Sequence, residues 1–305
     1  MDIGIFYGAA GRQLDPDEVV DEVMLARDQG FGSFWMPQLP SGPDPMIELA
    51  MAGAAVSDIE LGTGVINVYS RHPLTAAQQA LTVTKAVGEG RFSFGIGLSH
   101  KPVIEGMLGM SFERPVRYMR EFLEVLNPLL RDEAVSYGGD LLTGRSQNMY
   151  PGAPKPAVYL AALGPQMLRL AGRMADGTMT WMTGNETLRS LTVPTMTEAA
   201  IAAGRPEPRA IVGLPVCCTD DIDATRLLAA QTFAVYGQLP SYRAMLDREG
   251  LSGPEDFCII GNEEQIEAGL AASFAAGADT VAVVEFATND EDRVRTRACL
   301  AALTS

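Results

Sequence analysis

Basic residues are scarce in this sequence, and their scarcity limits the partners that the chain can bind. Its 305 residues include 23 lysines and arginines against 38 aspartates and glutamates, which gives a formal net charge of -15 at pH 7. A surface that binds nucleic acid or an anionic membrane needs a basic face to offset the phosphate field. The composition therefore argues against both partners, and any acidic ligand must be met by local arginines.

Histidine and cysteine, the side chains that typically ligate zinc, are also few. The chain has the two histidines His72 and His100 and the four cysteines Cys217, Cys218, Cys258 and Cys299. The cysteines have neither C-x-x-C nor zinc-finger spacing, and two histidines are too few for a histidine-rich catalytic centre. We therefore expect no metal site and four buried free thiols.

Long apolar runs are absent as well. No stretch of about 18 apolar residues is present, as a membrane-spanning helix would need. The amino end is acidic at Asp2 and over Asp15–Glu22, whereas a secretion signal is basic and then apolar. With 47% hydrophobic residues the chain can bury the core of one large barrel or of two smaller domains. Because no membrane-spanning run and no secretion signal is evident, we expect a cytoplasmic protein. Since no low-complexity linker divides the chain, we expect a single domain over residues 1–305.

Eight short strand-like runs are present, and helical segments separate them. The runs are Ile3–Tyr7, Ser33–Met36, Glu60–Val65, Phe92–Gly97, Val158–Ala162, Thr178–Trp181, Ala210–Val216 and Thr280–Glu285. This alternation indicates an α/β fold, and eight such units in about this length favour a (β/α)8 TIM barrel over an open doubly wound sheet. In such a barrel the active site lies at the carboxyl ends of the strands.

Two stretches contain more residues than a minimal barrel needs between its strands, and they are predicted to be insertions after strands. Residues Asp132–Lys155 contain turn signals around the run Val135–Tyr137, which predicts a hairpin. Residues Thr219–Phe257 form a long, mostly helical excursion before the last unit. Insertions of this kind usually build the substrate pocket of a barrel.

Glycines mark the ends of two strands in the segment Leu61–His100. The segment reads as strand, loop, helix and strand, which is a βαβ unit of a parallel sheet. The glycines at its strand ends are Gly62, Gly64, Gly95 and Gly97. A missing Cβ lets a flat ring approach the backbone, so these positions predict a planar cofactor.

The same segments carry a resemblance to a known family. GTGV at Gly62–Val65, RHP at Arg71–Pro73 and GRFSFGIG at Gly90–Gly97 are similar to the luciferase-like monooxygenase superfamily. ALGPQMLRLAGRMADGTMTWMTG at Ala162–Gly184 resembles the branch that uses the deazaflavin coenzyme F420. The likeness covers almost the whole chain, and it implies an oxidoreductase that is commonly a homodimer. The Gly- and Ala-rich composition with few lysines hints at an actinobacterial source.

The resemblance places the ring of the cofactor at two strand ends. It implies a non-proline cis peptide bond at Gly64–Val65 that bulges against the central ring, where the alternative is an ordinary glycine-lined strand end. It puts Gly97 and the residues Leu98, Ser99 and His100 beside the ring and the hydride-bearing carbon. His100 could protonate or deprotonate a substrate near neutral pH. Its alternative role is to bind the cofactor or to close the pocket.

A helix start and the next strand end are implied to hold the phosphodiester of the coenzyme. Ala162, Leu163 and Gly164 end the fifth strand, and the helix that begins after them offers free N–H groups and a positive dipole end. The residues at the end of the sixth strand are Trp181, Met182, Thr183 and Gly184. The Thr183 hydroxyl and the Gly184 amide are expected to face the same anion.

The second strand departs from the glucose-6-phosphate dehydrogenases of this superfamily. Those enzymes have an Asp-His pair at this strand, whereas this chain reads WMPQL over Trp35–Leu39. The catalytic histidine is therefore absent, and oxidation of a sugar phosphate by that route is not expected. Gln38 can donate or accept a hydrogen bond with cofactor or substrate but is a poor acid or base. Arg71 is expected to meet a carboxylate of the coenzyme or of its glutamate tail. The segment Tyr236–Arg243 either caps the pocket or forms a subunit contact.

The sequence therefore favours a barrel that binds F420 and moves a hydride between the deazaflavin and a small organic substrate. The alternative is a monooxygenase that uses reduced FMN, because both cofactors share the ring and the ribityl phosphate. A further alternative is a barrel that binds cofactor without catalysis. Neither the substrate nor the direction of the reaction follows from the sequence.

Overall fold

The computed structural model describes residues 1–10, 15–147 and 149–304. Its strands are β1 Ile3–Phe6, β2 Ser33–Met36, β3 Glu60–Thr63, β4 Ile66–Asn67, β5 Phe92–Gly97, β6 Val135–Gly138, β7 Thr143–Ser146, β8 Ala157–Leu160, β9 Gly177–Trp181, β10 Arg209–Cys218, β11 Ile259–Gly261 and β12 Thr280–Glu285. Its helices are α1 Pro16–Asp28, α2 Pro45–Ala55, α3 Pro73–Val87, α4 Pro115–Leu130, α5 Pro165–Met174, α6 Asn185–Thr187, α7 Val193–Ala202, α8 Ile222–Thr232, α9 Pro240–Glu249, α10 Glu263–Ala275 and α11 Asp290–Ala302.

Eight parallel strands form a closed barrel with the helices around it. Their order around the barrel is β1, β2, β3, β5, β8, β9, β10 and β12, and β12 pairs with β1. Order around the barrel follows order along the chain, so each helical segment crosses over to the neighbouring strand. The prediction of a (β/α)8 TIM barrel with eight strands is confirmed.

Proline and aspartate at the helix starts explain where several helices begin. Each of the helices α1 to α5 has a proline at its first position, where the fixed φ suits a helix and the missing N–H costs nothing. In α1 the Glu18 carboxylate accepts from the backbone N–H of Asp15 over 2.8 Å. In α2 the Asp44 carboxylate accepts from the backbone N–H of Met46 over 2.9 Å. These caps satisfy N–H groups that have no partner within their helix.

The third predicted strand is the place where the structure differs most from the prediction. β3 ends at Thr63, and the ladder resumes as β4, which pairs with β5. The peptide bond between Gly64 and Val65 is cis, and these two residues leave the ladder. The predicted run Glu60–Val65 therefore contains strand β3 and a two-residue break, and the short strand β4 begins directly after it.

Both predicted insertions are present. β6 and β7 form an antiparallel hairpin, and the buried Glu121 of α4 accepts hydrogen bonds from the backbone N–H groups of Leu141 and Leu142 over 2.8 and 2.9 Å. The helices α8 and α9, with a 3-10 turn at Ala234–Gln238 between them, form the second insertion. In the described part of the chain no helix is both long and apolar enough to cross a bilayer.

Large side chains fill the inside of the barrel. The inner cluster is made of Phe6, Trp35, Tyr159, Met179, Ile211, Ala282 and Val284. At the amino ends of the strands Arg209 donates to Glu60 over 2.9 Å and to Thr280 over 2.6 Å. The barrel is thus filled in its middle and closed by an ion pair at one end, so a ligand can enter only from the carboxyl ends of the strands.

We predict that Gly62→Ala destabilises the barrel. A Cβ at Gly62 would overlap the ring of Trp35, which is fully buried and donates from its indole N–H to Ser33 over 2.8 Å. Because that ring has no space into which to move, we expect the free energy of unfolding to fall by about 1–3 kcal/mol. Urea denaturation measures the change. Gly138→Ala is the control, because a Cβ there meets nothing within 4 Å; equal losses would contradict the steric explanation.

Candidate active site

A cavity of about 950 Å³ opens at the carboxyl ends of the barrel strands. Phe6 and Met179 of the inner cluster lie at its base, and its walls come from the loops after β2, β3, β5 and β8. The segment between α8 and α9 covers one side with Val235, Tyr236 and other residues. Such a volume is typical of a site for a cofactor or another small molecule.

One wall is the corner formed by Gly64 and Val65. Both residues line the cavity, and the bond between them is the cis peptide that the resemblance implies. Two glycines of β5 make room for this corner: a Cβ at Gly95 would overlap the carbonyl oxygen of Thr63, and one at Gly97 would lie 2.6 Å from Val65 Cγ2. The predicted glycines at the strand ends therefore serve close packing between β3, β4 and β5.

The end of β5 places the next predicted residues around the same cavity. Gly97, Leu98, Ser99 and His100 all line it. Ser99 has a left-handed backbone with φ 59°, an uncommon conformation for a residue with a side chain that often marks functional sites. The His100 carbonyl accepts from the N–H of Val103 and of Ile104 over 2.9 and 3.0 Å, and a π-helix follows at Pro102–Met107.

The imidazole of His100 lies in an aromatic cluster that includes Tyr236, Tyr242 and Trp181. The His100 ring centroid is 5.9 Å from that of Tyr242 and 6.3 Å from that of Tyr236. Tyr236 also contacts the Trp181 ring at 6.0 Å. These contacts show that the segment Tyr236–Arg243 caps the pocket, which was one of its two predicted roles. No side-chain hydrogen bond to His100 is present among the described residues.

Burial controls the charge of this cluster. It lowers the pKa of His100 and raises the pKa of Tyr236 and Tyr242, because taking a group out of water disfavours its charged form. All three side chains are therefore uncharged at pH 7. Among the described residues that line the cavity there is also no lysine, arginine, aspartate or glutamate. The part of the cavity wall that the described residues form thus carries no charge, although the protein is strongly acidic.

The amino end of α5 forms the predicted phosphate position. Ala162, Leu163 and Gly164 line the cavity after β8, and α5 begins at Pro165. A Cβ on Gly164 would meet nothing within 4 Å, so a ligand can approach the backbone there. The first-turn amides of a helix have no acceptor within it, and together with the helix dipole they favour an anion.

The residues of the second half of that prediction lie in different places. Trp181 lines the cavity, whereas Met182 and Thr183 are fully buried outside its lining. The Thr183 hydroxyl is buried without a hydrogen-bond partner among the described residues. Gly184 faces the carboxyl group of Glu249, which accepts from the backbone N–H groups of Glu186 and Thr187 over 3.2 and 2.5 Å. The anion contacts of Thr183 and Gly184 stay a prediction, and the Glu249 carboxylate lies next to that position.

Gln38 and Arg71 form a second polar position, but only Gln38 lines the cavity. Arg71 lies behind it, donates from Nη1 to Gln38 Oε1 over 2.7 Å and from Nε to Gln79 Oε1 over 3.0 Å, and pairs with Asp44. The Arg71 side chain is only 9% exposed. Each side-chain nitrogen of Arg71 thus donates to a group of the protein, and its contact with a coenzyme carboxylate stays a prediction.

Some lining residues were missed by the sequence reasoning. Asn67 and Ser70 follow the Gly64–Val65 corner, and Leu108 lies beyond His100. Asn67 could have been found, because a polar residue directly after a buried strand often faces the site. Leu108 could not, since an exposed leucine looks like any surface residue until the fold places it at the cavity.

The cysteines carry no chemistry at this site. All four are free and buried, and burial raises the pKa of Cys217 to about 11 and that of Cys218 to about 12. Thiols with such pKa values stay protonated and unreactive. Within residues 1–10, 15–147 and 149–304 no group of histidine, cysteine, aspartate and glutamate side chains is arranged to hold a metal ion.

Comparison with known proteins identifies the family. The luciferase-like monooxygenase model matches residues 1–280. The chain belongs to the luciferase-like monooxygenase family. Solved structures similar to this chain have the same barrel fold. The chain is therefore an oxidoreductase by family.

Three relatives of this chain differ in chemistry. The 5,10-methylenetetrahydromethanopterin reductase of Methanopyrus kandleri is 30% identical over 260 residues, which cover 77% of this chain and 72% of that protein. An F420-dependent secondary alcohol dehydrogenase, solved with an F420-acetone adduct, superposes with a TM-score of 0.80 at 20% identity over 97% of both chains. A type II Baeyer-Villiger monooxygenase of Pseudomonas putida, the oxygenating constituent of 3,6-diketocamphane monooxygenase solved with FMN, superposes with a TM-score of 0.76 at 17% identity over 99% of this chain and 96% of that chain. The same barrel thus serves both cofactors.

We predict that His100 titrates with a midpoint below 6.5 in the free protein, because burial disfavours the imidazolium. The unfolded chain then takes up this proton at a higher pH than the folded protein does. The free energy of unfolding therefore decreases as the pH falls below about 6.5, which is the pKa of a histidine side chain in the unfolded chain. NMR titration of the ring C–H signals measures the midpoint, and His100→Asn assigns the signal. A midpoint at or above 6.5 would contradict the neutral cluster.

Proposed function

We propose that this protein is a coenzyme F420-dependent oxidoreductase that transfers a hydride between the deazaflavin and a small organic substrate. The observation that carries the proposal is the cavity on which the cis Gly64–Val65 corner, the end of β5 and the amino end of α5 converge. The reductase relative at 30% identity and the F420-branch resemblance of Ala162–Gly184 favour F420 over FMN.

The residues around the cavity fit a flat ring with a phosphate-bearing side chain. Gly64, Val65 and Leu98 provide an uncharged wall for the ring. Gly164 and the first turn of α5 provide open amides for the phosphate. The cavity of about 950 Å³ is large enough to hold the ring and a small substrate together.

Proton transfer is the chemical step that we assign to this chain's own residues. Bound F420 supplies or takes up a hydride at its deazaflavin ring. Reduction of a carbonyl or of an activated double bond consumes one proton together with the hydride, and alcohol oxidation releases one. His100 is neutral at pH 7 and lies on the cavity wall, so it can accept at a ring nitrogen the proton that alcohol oxidation releases. In the reduction direction His100 must first take up a proton from water, and its imidazolium then donates that proton to the substrate. Gln38 can hold an oxygen atom of the reacting molecule by a hydrogen bond.

The second candidate function is a monooxygenase that uses reduced FMN. The described lining of the cavity has no arginine or lysine to pair with an acidic coenzyme tail, and this observation favours the shorter cofactor. The FMN-containing monooxygenase of similar fold supports it as well. A barrel that binds cofactor without catalysis is the third candidate, and it would show tight binding with no turnover.

We predict that the purified apoprotein binds F420 at least about tenfold more tightly than FMN, a difference of about 1.4 kcal/mol. Parallel titrations that follow coenzyme fluorescence measure both dissociation constants. Preference for FMN together with oxygen consumption would move the protein to the monooxygenase function. Binding of neither compound would contradict both cofactor-dependent functions.

We predict that Gln166→Glu weakens binding of F420 by about tenfold. Gln166 lies in the first turn of α5 on the cavity wall, so the new carboxylate would repel a phosphate at the amino end of that helix. An acid in the first turn favours the helix itself, and the melting temperature should therefore not fall. The control ligand is the deazaflavin nucleoside without its phosphate, whose affinity should stay the same. Equal weakening for both ligands would contradict the phosphate position.

A further inference from the structure

Two hydrogen bonds determine which way the carboxamide of Gln38 points. Its Oε1 accepts from the backbone N–H of Asn67 over 2.9 Å and from Arg71 Nη1 over 2.7 Å. Both partners can only donate, so the oxygen must face them and the amide nitrogen must point the other way. Gln38 lines the cavity, and no hydrogen bond of its Nε2 to another described residue is present. The group presented to a ligand is therefore an N–H donor.

Arg71 is itself fixed by its neighbours. Its guanidinium pairs with Asp44 and donates to Gln79 over 3.0 Å, and Asp44 also caps α2 through the N–H of Met46. A planar guanidinium with several partners has few other orientations. The orientation of Gln38 is therefore set before any ligand binds, so less side-chain entropy is lost on binding.

A donor of this kind matters because the described wall offers a ligand only uncharged polar groups. The cavity has no charged side chain among its described lining residues, and Phe6 and Met179 at its base are apolar. In such surroundings the fixed N–H of Gln38 favours ligands that place an acceptor opposite it. A ligand without that acceptor leaves the N–H unpaired and therefore binds more weakly.

We propose that Gln38 is the specificity-determining residue of this cavity and that Arg71 is its positioning residue. Gln38 Nε2 donates to a carbonyl oxygen or an sp² ring nitrogen of the bound molecule. The inference rests on the proposed function, since the acceptor belongs either to the cofactor ring or to a carbonyl substrate. Arg71 touches neither molecule and acts through Gln38.

The test is a double-mutant cycle on binding. Gln38→Met removes the donor at similar size, and Arg71→Lys keeps the charge beside Asp44 but cannot reproduce the fork that also reaches Gln38. The probes are F420, FMN and the neutral carbonyl compound cyclohex-2-enone, and fluorescence and calorimetry give their dissociation constants. We expect Gln38→Met to weaken binding of the recognised probe by about tenfold. Arg71→Lys should weaken binding of that probe several-fold when it is made in the wild-type protein. The same change should have no effect when it is made in the Gln38→Met variant, because the donor that Arg71 positions is already gone.

Gln38→Glu adds a second test of the donor. The new carboxylate would pair with Arg71 and present an acceptor, so we expect it to weaken binding more than Gln38→Met does. If the Gln38 variants lose affinity for F420 or FMN, the acceptor belongs to the cofactor ring. If they lose affinity for cyclohex-2-enone alone, the acceptor belongs to the substrate. Unchanged affinities in both Gln38 variants would overturn the specificity role. Additive effects of the Gln38 and Arg71 changes would overturn the positioning role.

Controls separate binding from folding. Arg209→Lys changes a half-buried arginine that bridges Asp2 and Glu60 at the opposite end of the barrel, and it should lower the melting temperature without changing any dissociation constant. Should Arg71→Lys fail to fold, Gln79→Leu removes one acceptor of the Arg71 guanidinium and takes its place in the cycle. If the wild-type protein binds none of the three probes, this inference and the proposed function fall together; if it binds one and Gln38 has no effect, only this inference falls.

Discussion

Pairing of β12 with β1 closes the eight parallel strands into a ring, and the site depends on that closure. Because all strands run in the same direction, their carboxyl ends meet at one face. Residues far apart in sequence, such as Gln38, His100, Gly164 and Trp181, therefore line one cavity. The Arg209–Glu60 ion pair lies at the amino ends of the strands, and the large inner side chains separate it from the cavity.

The described wall of the cavity carries no charge in an acidic protein, and the pairing of nearby charges explains why. Arg71 is bound by Asp44 and Gln38, and Glu249 is bound by backbone N–H groups beside Gly184. Buried charges keep such partners because an unpaired charge away from water is costly. The described wall offers a ligand uncharged polar groups, among them the Gln38 amide and the His100 imidazole, together with the amides at the start of α5.

Much of the architecture was predictable because its signals are local. The eight strands are short apolar runs between turns, and proline or aspartate marks the starts of α1 and α2. The corner at Gly64–Val65 was predicted from a resemblance and is present as a cis peptide. The contacts that Asp44 makes with Arg71 and that Glu249 makes with Thr187 were not predictable. The two members of each pair lie 27 and 62 residues apart in sequence, a separation at which no sequence spacing reports contact.

The sequence by itself determined the barrel class and the strands, because hydrophobic periodicity and turn residues act over a few neighbours. The resemblance of its motifs indicated the family. It also indicated which strand ends carry the site. Only the tertiary structure decided which polar groups face the ligand. Gln38 became a donor through Asn67 and Arg71, and the corner at Gly184 was taken by Glu249. The orientation and the charge of a side chain depend on partners that only folding brings within hydrogen-bond distance.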